Sequence, residues 1–271
     1  MAGRALTRWT ASELGPIDPA SLVAPKLIRF TSFDGLSVPA FVYRPARAAA
    51  GAKTPVLISI HGGPEGQARP GWSGTTQYYA DQLGATVIVP NVRGSDGYGA
   101  KYLSLDNGPL REDSVKDIGA LLDWVKAQPD LDAGRTAVIG GSYGGYMVRA
   151  VMTHYSDRLA GAVESFGISN WISFLEHTEA YRRDNRRSEY GDERQPAMRA
   201  VFERISPLTN IAKISRPMLV QQGVNDPRVP KSESDQVVAA LRSRGVPVSY
   251  LVFADEGHGW RKRPNLSLIH I

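Results

Sequence analysis

The stretch Gly140-Gly141-Ser142-Tyr143-Gly144-Gly145 constrains this chain more than any other. A short apolar run, residues 135–139, precedes it and reads as a buried strand. Residues 146–152 follow as a helix. Between the two, the spacing Gly-x-Ser-x-Gly demands a sharp turn that lifts the serine hydroxyl clear of the sheet. Glycines at 140 and 144 let neighbouring backbone pass without a Cβ clash. The helix behind the serine aims its first amides at whatever binds there, which suits an oxyanion. A Gly-rich turn with an incidental serine has the same local pattern, so the rest of the chain must decide between them.

Residues 55–60 and 85–90 are two more buried strands. Each runs into a polar loop: His61-Gly62-Gly63-Pro64-Glu65-Gly66 after the first, Asn91-Val92-Arg93-Gly94-Ser95-Asp96-Gly97-Tyr98-Gly99 after the second. Earlier, residues 27–33 and 37–43 flank Asp34-Gly35, a hairpin signal. Residues 76–83, 113–128 and 232–244 read as helices. The second has an apolar stripe at Val115, Ile118, Leu121, Leu122 and Val125, and Asp113 opens it. Residues 160–166, 217–222 and 247–253 are strands. Residues 171–208 break the rhythm; rich in charge and aromatics, they read as a helical, lid-like insertion. Alternating strands and helices predict an α/β fold with a mostly parallel sheet covered on both faces. The motif loops all follow strands, so they gather at the carboxyl edge, where such sheets place ligands.

A length of 271 residues, 42% hydrophobic and 22% charged, allows one sizeable α/β core. The net charge of +5 comes without an aromatic-basic stripe, so no nucleic-acid partner is expected. The absence of cysteine excludes disulfides, thiolate metal sites and a cysteine nucleophile. No apolar run approaches membrane-spanning length and the first residues lack the apolar core of a signal peptide, so a cytoplasmic location is the default. The five histidines show no metal-ligand spacing, and residues 94–99 do not open a helix as a dinucleotide loop would. Neither metal nor cofactor is expected.

A serine hydroxyl is a poor nucleophile unless a base lies within hydrogen-bond reach and a third group orients that base. In α/β-hydrolases these follow in the chain order serine, acid, histidine. Of the later histidines, His258 sits in a glycine-rich loop just after a strand, whereas His270 is next to the terminus. His258 is the expected base. Asp226, between a strand and the helix that precedes the histidine strand, occupies the acid's slot. Asp255 and Glu256 are rivals by proximity, though they suit local turns better. The oxyanion hole calls for the amide of Tyr143 and one from the loop of His61-Gly62-Gly63-Pro64, with Gly63 or Gly62 donating. His61 itself reads as holding that loop. Residues 91–99 read as structure beside the site, with substrate contact by Arg93 or Tyr98 the lesser reading. Arg182, Arg183, Arg186 and Arg187 read as a solvated helix face paired with Asp184, Glu189, Asp192 and Glu193; carboxylate binding is the alternative.

Taken together, the loops at 61–64, 91–99, 140–145, 225–230 and 255–259 resemble the catalytic domain of the prolyl oligopeptidase family of serine peptidases, the acylaminoacyl-peptidase-like branch above all. The resemblance runs from about residue 27 to residue 265. It implies an α/β-hydrolase fold, with Ser142 as nucleophile, Asp226 as acid, His258 as base and the Tyr143 and Gly63 amides in the oxyanion hole. It implies acyl transfer to water on short peptides or esters. A carboxylesterase, or an incomplete fragment with an unassembled triad, are the alternatives. Family members usually carry an N-terminal β-propeller; residues 1–26 are expected to be a linker or remnant of an upstream domain. Residues 266–271 are expected to be a non-native tail, as one frame of a sequencing transposon adapter would encode them. The family's last helix would then be missing, leaving apolar sheet surface that homo-oligomerisation would cover.

Overall fold

The computed structural model describes residues 7–11, 13–46 and 51–269. Eight strands form one sheet in the order β1-β2-β4-β3-β5-β6-β7-β8. They are β1 (Lys26–Thr31), β2 (Ser37–Tyr43), β3 (Thr54–Ile60), β4 (Thr86–Pro90), β5 (Leu131–Gly141), β6 (Gly161–Ser165), β7 (Met218–Gly223) and β8 (Val248–Phe253). The first two form the hairpin expected around Asp34-Gly35, where Gly35 turns with φ 86°. β2 then pairs antiparallel with β4, and every later pairing is parallel.

The helices are α1 (Gly74–Asp81), α2 (Ala100–Leu103), α3 (Asp113–Ala127), α4 (Tyr143–Tyr155), α5 (Trp171–His177), α6 (Ala180–Tyr190), α7 (Pro196–Ile205), α8 (Lys231–Ser243) and α9 (Arg263–Ile269). No described helix is long and apolar enough to cross a membrane. The insertion expected at 171–208 is α5, α6 and α7. They pack around Trp171, which is fully buried and lies 4.6 Å from Tyr146, 4.7 Å from Tyr190 and 5.9 Å from Phe202, centroid to centroid.

Strand alternation divides the core in two. Along β3, Val56, Ile58 and Ile60 are buried against the large cluster that includes Val115, Ile118 and Leu122 of α3 and Met147 and Val151 of α4. Pro55, Leu57 and Ser59 face the other way and are only half-buried. On that second face a smaller cluster joins Ala80 of α1 to Tyr43, Val87 and Val23. Next to it, Leu57, Ala137, Ile139, Val163, Tyr79 and Leu83 line an apolar cleft. The second face is therefore less completely covered than the first.

One strand boundary differs from expectation. The apolar run of the sequence begins this strand at residue 135. The strand starts at Leu131, which is buried, and passes residues 133–135 as a bulge between the pairings Pro55↔Asp132 and Val56↔Thr136.

Candidate active site

Ser142 stands between the last residue of β5 and the first of α4, with φ 59° and ψ −123°. This is a strained conformation for a residue with a Cβ. Close packing around it leaves little alternative. A Cβ on Gly140 would come 2.5 Å from the Gly144 carbonyl oxygen, and one on Gly144 would come 2.3 Å from the Ile60 carbonyl oxygen. The Ser142 amide donates to the Ser165 carbonyl at 2.9 Å, tying the turn to β6.

Three residues distant in sequence meet there. His258 Nε2 lies 2.9 Å from Ser142 Oγ, and His258 Nδ1 lies 2.7 Å from Asp226 Oδ2. Asp226 is held in turn: its Oδ1 accepts from the Arg228 amide at 2.8 Å and the Val229 amide at 3.0 Å. The loop after β7 thus fixes the carboxylate by its own backbone. The rival acids are engaged elsewhere. Glu256 Oε1 accepts from the amides of Arg261 and Lys262, and Asp255 pairs with Lys262. His270 lies outside the described residues.

The amide of Tyr143 begins α4 and has no intrahelical acceptor. Gly62 and Gly63 adjoin it: a Cβ on Gly62 would sit 3.5 Å from Ser142 Cβ and 3.9 Å from Tyr143 N. Gly63 shares a small cavity with Ser142 and Tyr143. Its peptide bond to Pro64 is cis, and its φ of 134° suits glycine alone. His61 holds this loop from below. Its ring nitrogens lie 2.9 Å from the Gly62 carbonyl and 2.8 Å from Ser95 Oγ, and burial lowers its pKa, which favours the neutral ring.

The loop at 91–99 is structural. Arg93 is buried, and its guanidinium bonds Asp117 and Asp34 away from the site. Tyr98 bonds Asn91 at 3.0 Å. On α6, Arg187 pairs with Asp184, Asp192 and Glu193, and Arg186 pairs with Glu189, as the charge pattern suggested. Arg183 donates to the Thr178 carbonyl instead.

Several residues that position the site are not singled out by the sequence pattern. Phe166, with φ 43°, packs 4.4 Å from the His258 ring and 5.3 Å from Trp260. An aromatic followed by glycine at the end of a strand was the available signal. Arg149 is fully buried in α4. It bonds Glu164 of β6 and Ser234 of α8, fixing the elbow helix to both. The Tyr143 ring is anchored as well: its hydroxyl donates to Asp106 at 3.1 Å and takes a long bond of 3.3 Å from Arg111. These charges sit in helical and loop stretches whose polar residues pattern alone assigns to solvent.

Comparison with known proteins gives the family and the fold. A profile described as the prolyl oligopeptidase family matches residues 71–268. A dipeptidyl aminopeptidase BIII from Pseudoxanthomonas mexicana is 34% identical over 227 residues, covering 80% of this chain and 32% of the relative. Among solved structures, a puromycin-hydrolyzing peptidase from Mycobacterium tuberculosis superposes with a TM-score of 0.86 at 30% identity, over 93% of this chain and 38% of that one. An acylaminoacyl peptidase from Pyrococcus horikoshii gives a TM-score of 0.80 at 26% identity, over 88% and 38%. The chain thus spans about a third of the length of the curated relative it matches.

Proposed function

The chain belongs to the prolyl oligopeptidase family, and from that membership and the geometry at Ser142 we propose that it is a serine hydrolase cleaving peptide and acyl-aminoacyl bonds. The observation that carries this reading is the continuous hydrogen-bonded series from Ser142 Oγ through His258 to Asp226, set beside the Tyr143 amide.

In this reading Ser142 Oγ attacks the acyl carbon while His258 Nε2 takes its proton. Asp226 stabilises the imidazolium that forms and keeps the ring's Nδ1 proton pointed at itself. The amides of Tyr143 and of Gly63 or Gly62 stabilise the negative oxygen of the tetrahedral intermediate. His258 then gives the proton to the leaving amine, and the acyl group remains on Ser142. Water, deprotonated by the same histidine, releases the acid and restores the hydroxyl. No metal or cofactor is needed for any of these steps.

Matched acyl-peptide anilides and esters test the reading. Turnover of both, lost in Ser142→Ala, supports a peptidase. Turnover of the ester alone would reassign the protein as a carboxylesterase. Turnover of neither by folded protein would remove the hydrolase reading.

A further inference from the structure

The Gly63 amide can donate to the oxyanion only if something outside Gly63 aims it. A glycine at φ 134° has no side chain to hold it in place. Its direction is set by the carbonyls on either side. The Gly62 oxygen and the Gly63 N–H share one planar trans peptide and point opposite ways. His61 Nδ1, 2.9 Å from the Gly62 oxygen, holds that plane from below. The next plane is held from the insertion. Tyr190, the last residue of α6, donates its hydroxyl to the Gly63 oxygen at 3.3 Å.

Tyr190 is itself firmly placed. Its ring is buried, with centroid 4.7 Å from that of Trp171 and 4.9 Å from the guanidinium carbon of Arg111. Phenylalanine would fill the same space, and a buried hydroxyl is unfavourable unless it is bonded. Burial pushes the Tyr190 pKa up, so the hydroxyl stays protonated and donates. Arg111, also buried, donates to the Glu189 carbonyl at 3.2 Å and to the Tyr143 hydroxyl at 3.3 Å. The Tyr143 and Tyr190 rings lie 6.2 Å apart, their planes 9° from parallel. One guanidinium thus spaces two tyrosines. Tyr143 serves the oxyanion hole by its own amide, Tyr190 through the Gly63 carbonyl.

We propose that Tyr190 is a positioning residue of the oxyanion hole: by holding the Gly63 carbonyl, it turns the Gly63 amide to converge with the Tyr143 amide on the substrate oxygen. The inference rests on the serine-hydrolase reading. It gives the insertion a part in stabilising the transition state besides covering the site.

The test needs no knowledge of the natural substrate. Diethyl 4-nitrophenyl phosphate and its phosphorothioate differ only in P=O against P=S, at the atom that enters the hole. With either reagent Ser142 Oγ bonds phosphorus, His258 takes the hydroxyl proton and 4-nitrophenolate leaves, so phenolate release reports the rate. Sulfur is larger and a weaker acceptor, so a hole shaped for oxygen favours the phosphate. Tyr190→Phe keeps the ring and loses the hydroxyl. It is expected to slow the phosphate about tenfold and to lower the phosphate-to-phosphorothioate rate ratio about fivefold from wild type, less than the roughly 10²–10³ lost with a whole donor. Its circular dichroism should match wild type. Phe202→Leu is the control: Phe202 packs on Trp171 at 5.9 Å, so the variant loosens the insertion while keeping the Tyr190 hydroxyl. It should lower the melting temperature and leave the ratio unchanged. A ratio unchanged in Tyr190→Phe, or lowered as much by Phe202→Leu, overturns the positioning role and leaves the hydrolase reading standing. Folded wild-type protein that neither reagent modifies overturns both.

Discussion

Asp226 meets His258 with one oxygen only. Oδ2 lies 2.7 Å from His258 Nδ1, while Oδ1 accepts two amides of its own loop. The carboxylate is thereby fixed before it orients the histidine. Asp226→Asn keeps the size and the loop bonds but presents an amide that can donate to Nδ1 and favour the wrong tautomer. The expected result is a loss of kcat of roughly 10³–10⁴-fold with little change in melting temperature, read by steady-state kinetics and calorimetry.

Gly144 tests the packing that forces the elbow. A Cβ there would meet backbone at 2.3 Å, and backbone cannot swing aside as a side chain can. Gly144→Ala should destabilise the fold by about 3 kcal/mol or more, or abolish soluble expression. Gly74, the first residue of α1, has nothing within 4 Å of the added carbon. Gly74→Ala should leave stability unchanged or raise it by about 0.5 kcal/mol. Urea unfolding of both variants checks the contrast.

Asp117 carries the loop of residues 91–99. It is fully buried and accepts from the Arg93 amide at 2.9 Å, the Arg93 guanidinium at 2.8 Å and Ser32 Oγ at 2.5 Å. Asp117→Asn leaves Arg93 buried beside a neutral group, with Asp34 its remaining counter-charge. The expected cost is about 3–5 kcal/mol in chemical denaturation. A cost below about 1 kcal/mol would show that Asp34 alone suffices.

The insertion carries a pH-dependent element. The hydrogen bonds from Arg187 hold the Glu193 carboxyl below its ordinary pKa of 4.5. As pH falls, the unfolded chain takes up this proton first, so the pair stabilises the fold fully above pH 4.5 and its contribution is lost below that. Glu193→Gln should flatten the stability curve in that acid range, measured by melting temperature against pH. An unchanged slope would show that the Arg187–Glu193 pair contributes nothing to acid stability.

Much of this was legible because parallel strands put their loops on one edge. The serine, acid and histidine loops each follow a strand, so their order in sequence already placed them together; β5, β7 and β8 bring them to one edge. The β5 bulge was not legible, since Asp132-Ala133-Gly134 has turn composition whether or not the chain turns. Nor were Arg149, Glu164 and Arg111. Their burial depends on partners between 5 and 85 residues away, which local periodicity does not register. The α6 arginines were half legible. Charge spacing foretold the pairs of Arg186 and Arg187 but could not separate Arg182, which faces the cavity beside Ser142.

Whether Ser142 is an activated nucleophile is read by labelling the purified protein with a fluorophosphonate, with the modified residue located by peptide mass spectrometry. Only a serine activated by its histidine beside an oxyanion hole reacts readily. One adduct is expected, on Ser142, absent in Ser142→Ala and strongly slowed in His258→Ala. Folded protein that stays unlabelled, or an adduct on another residue, would contradict that activation.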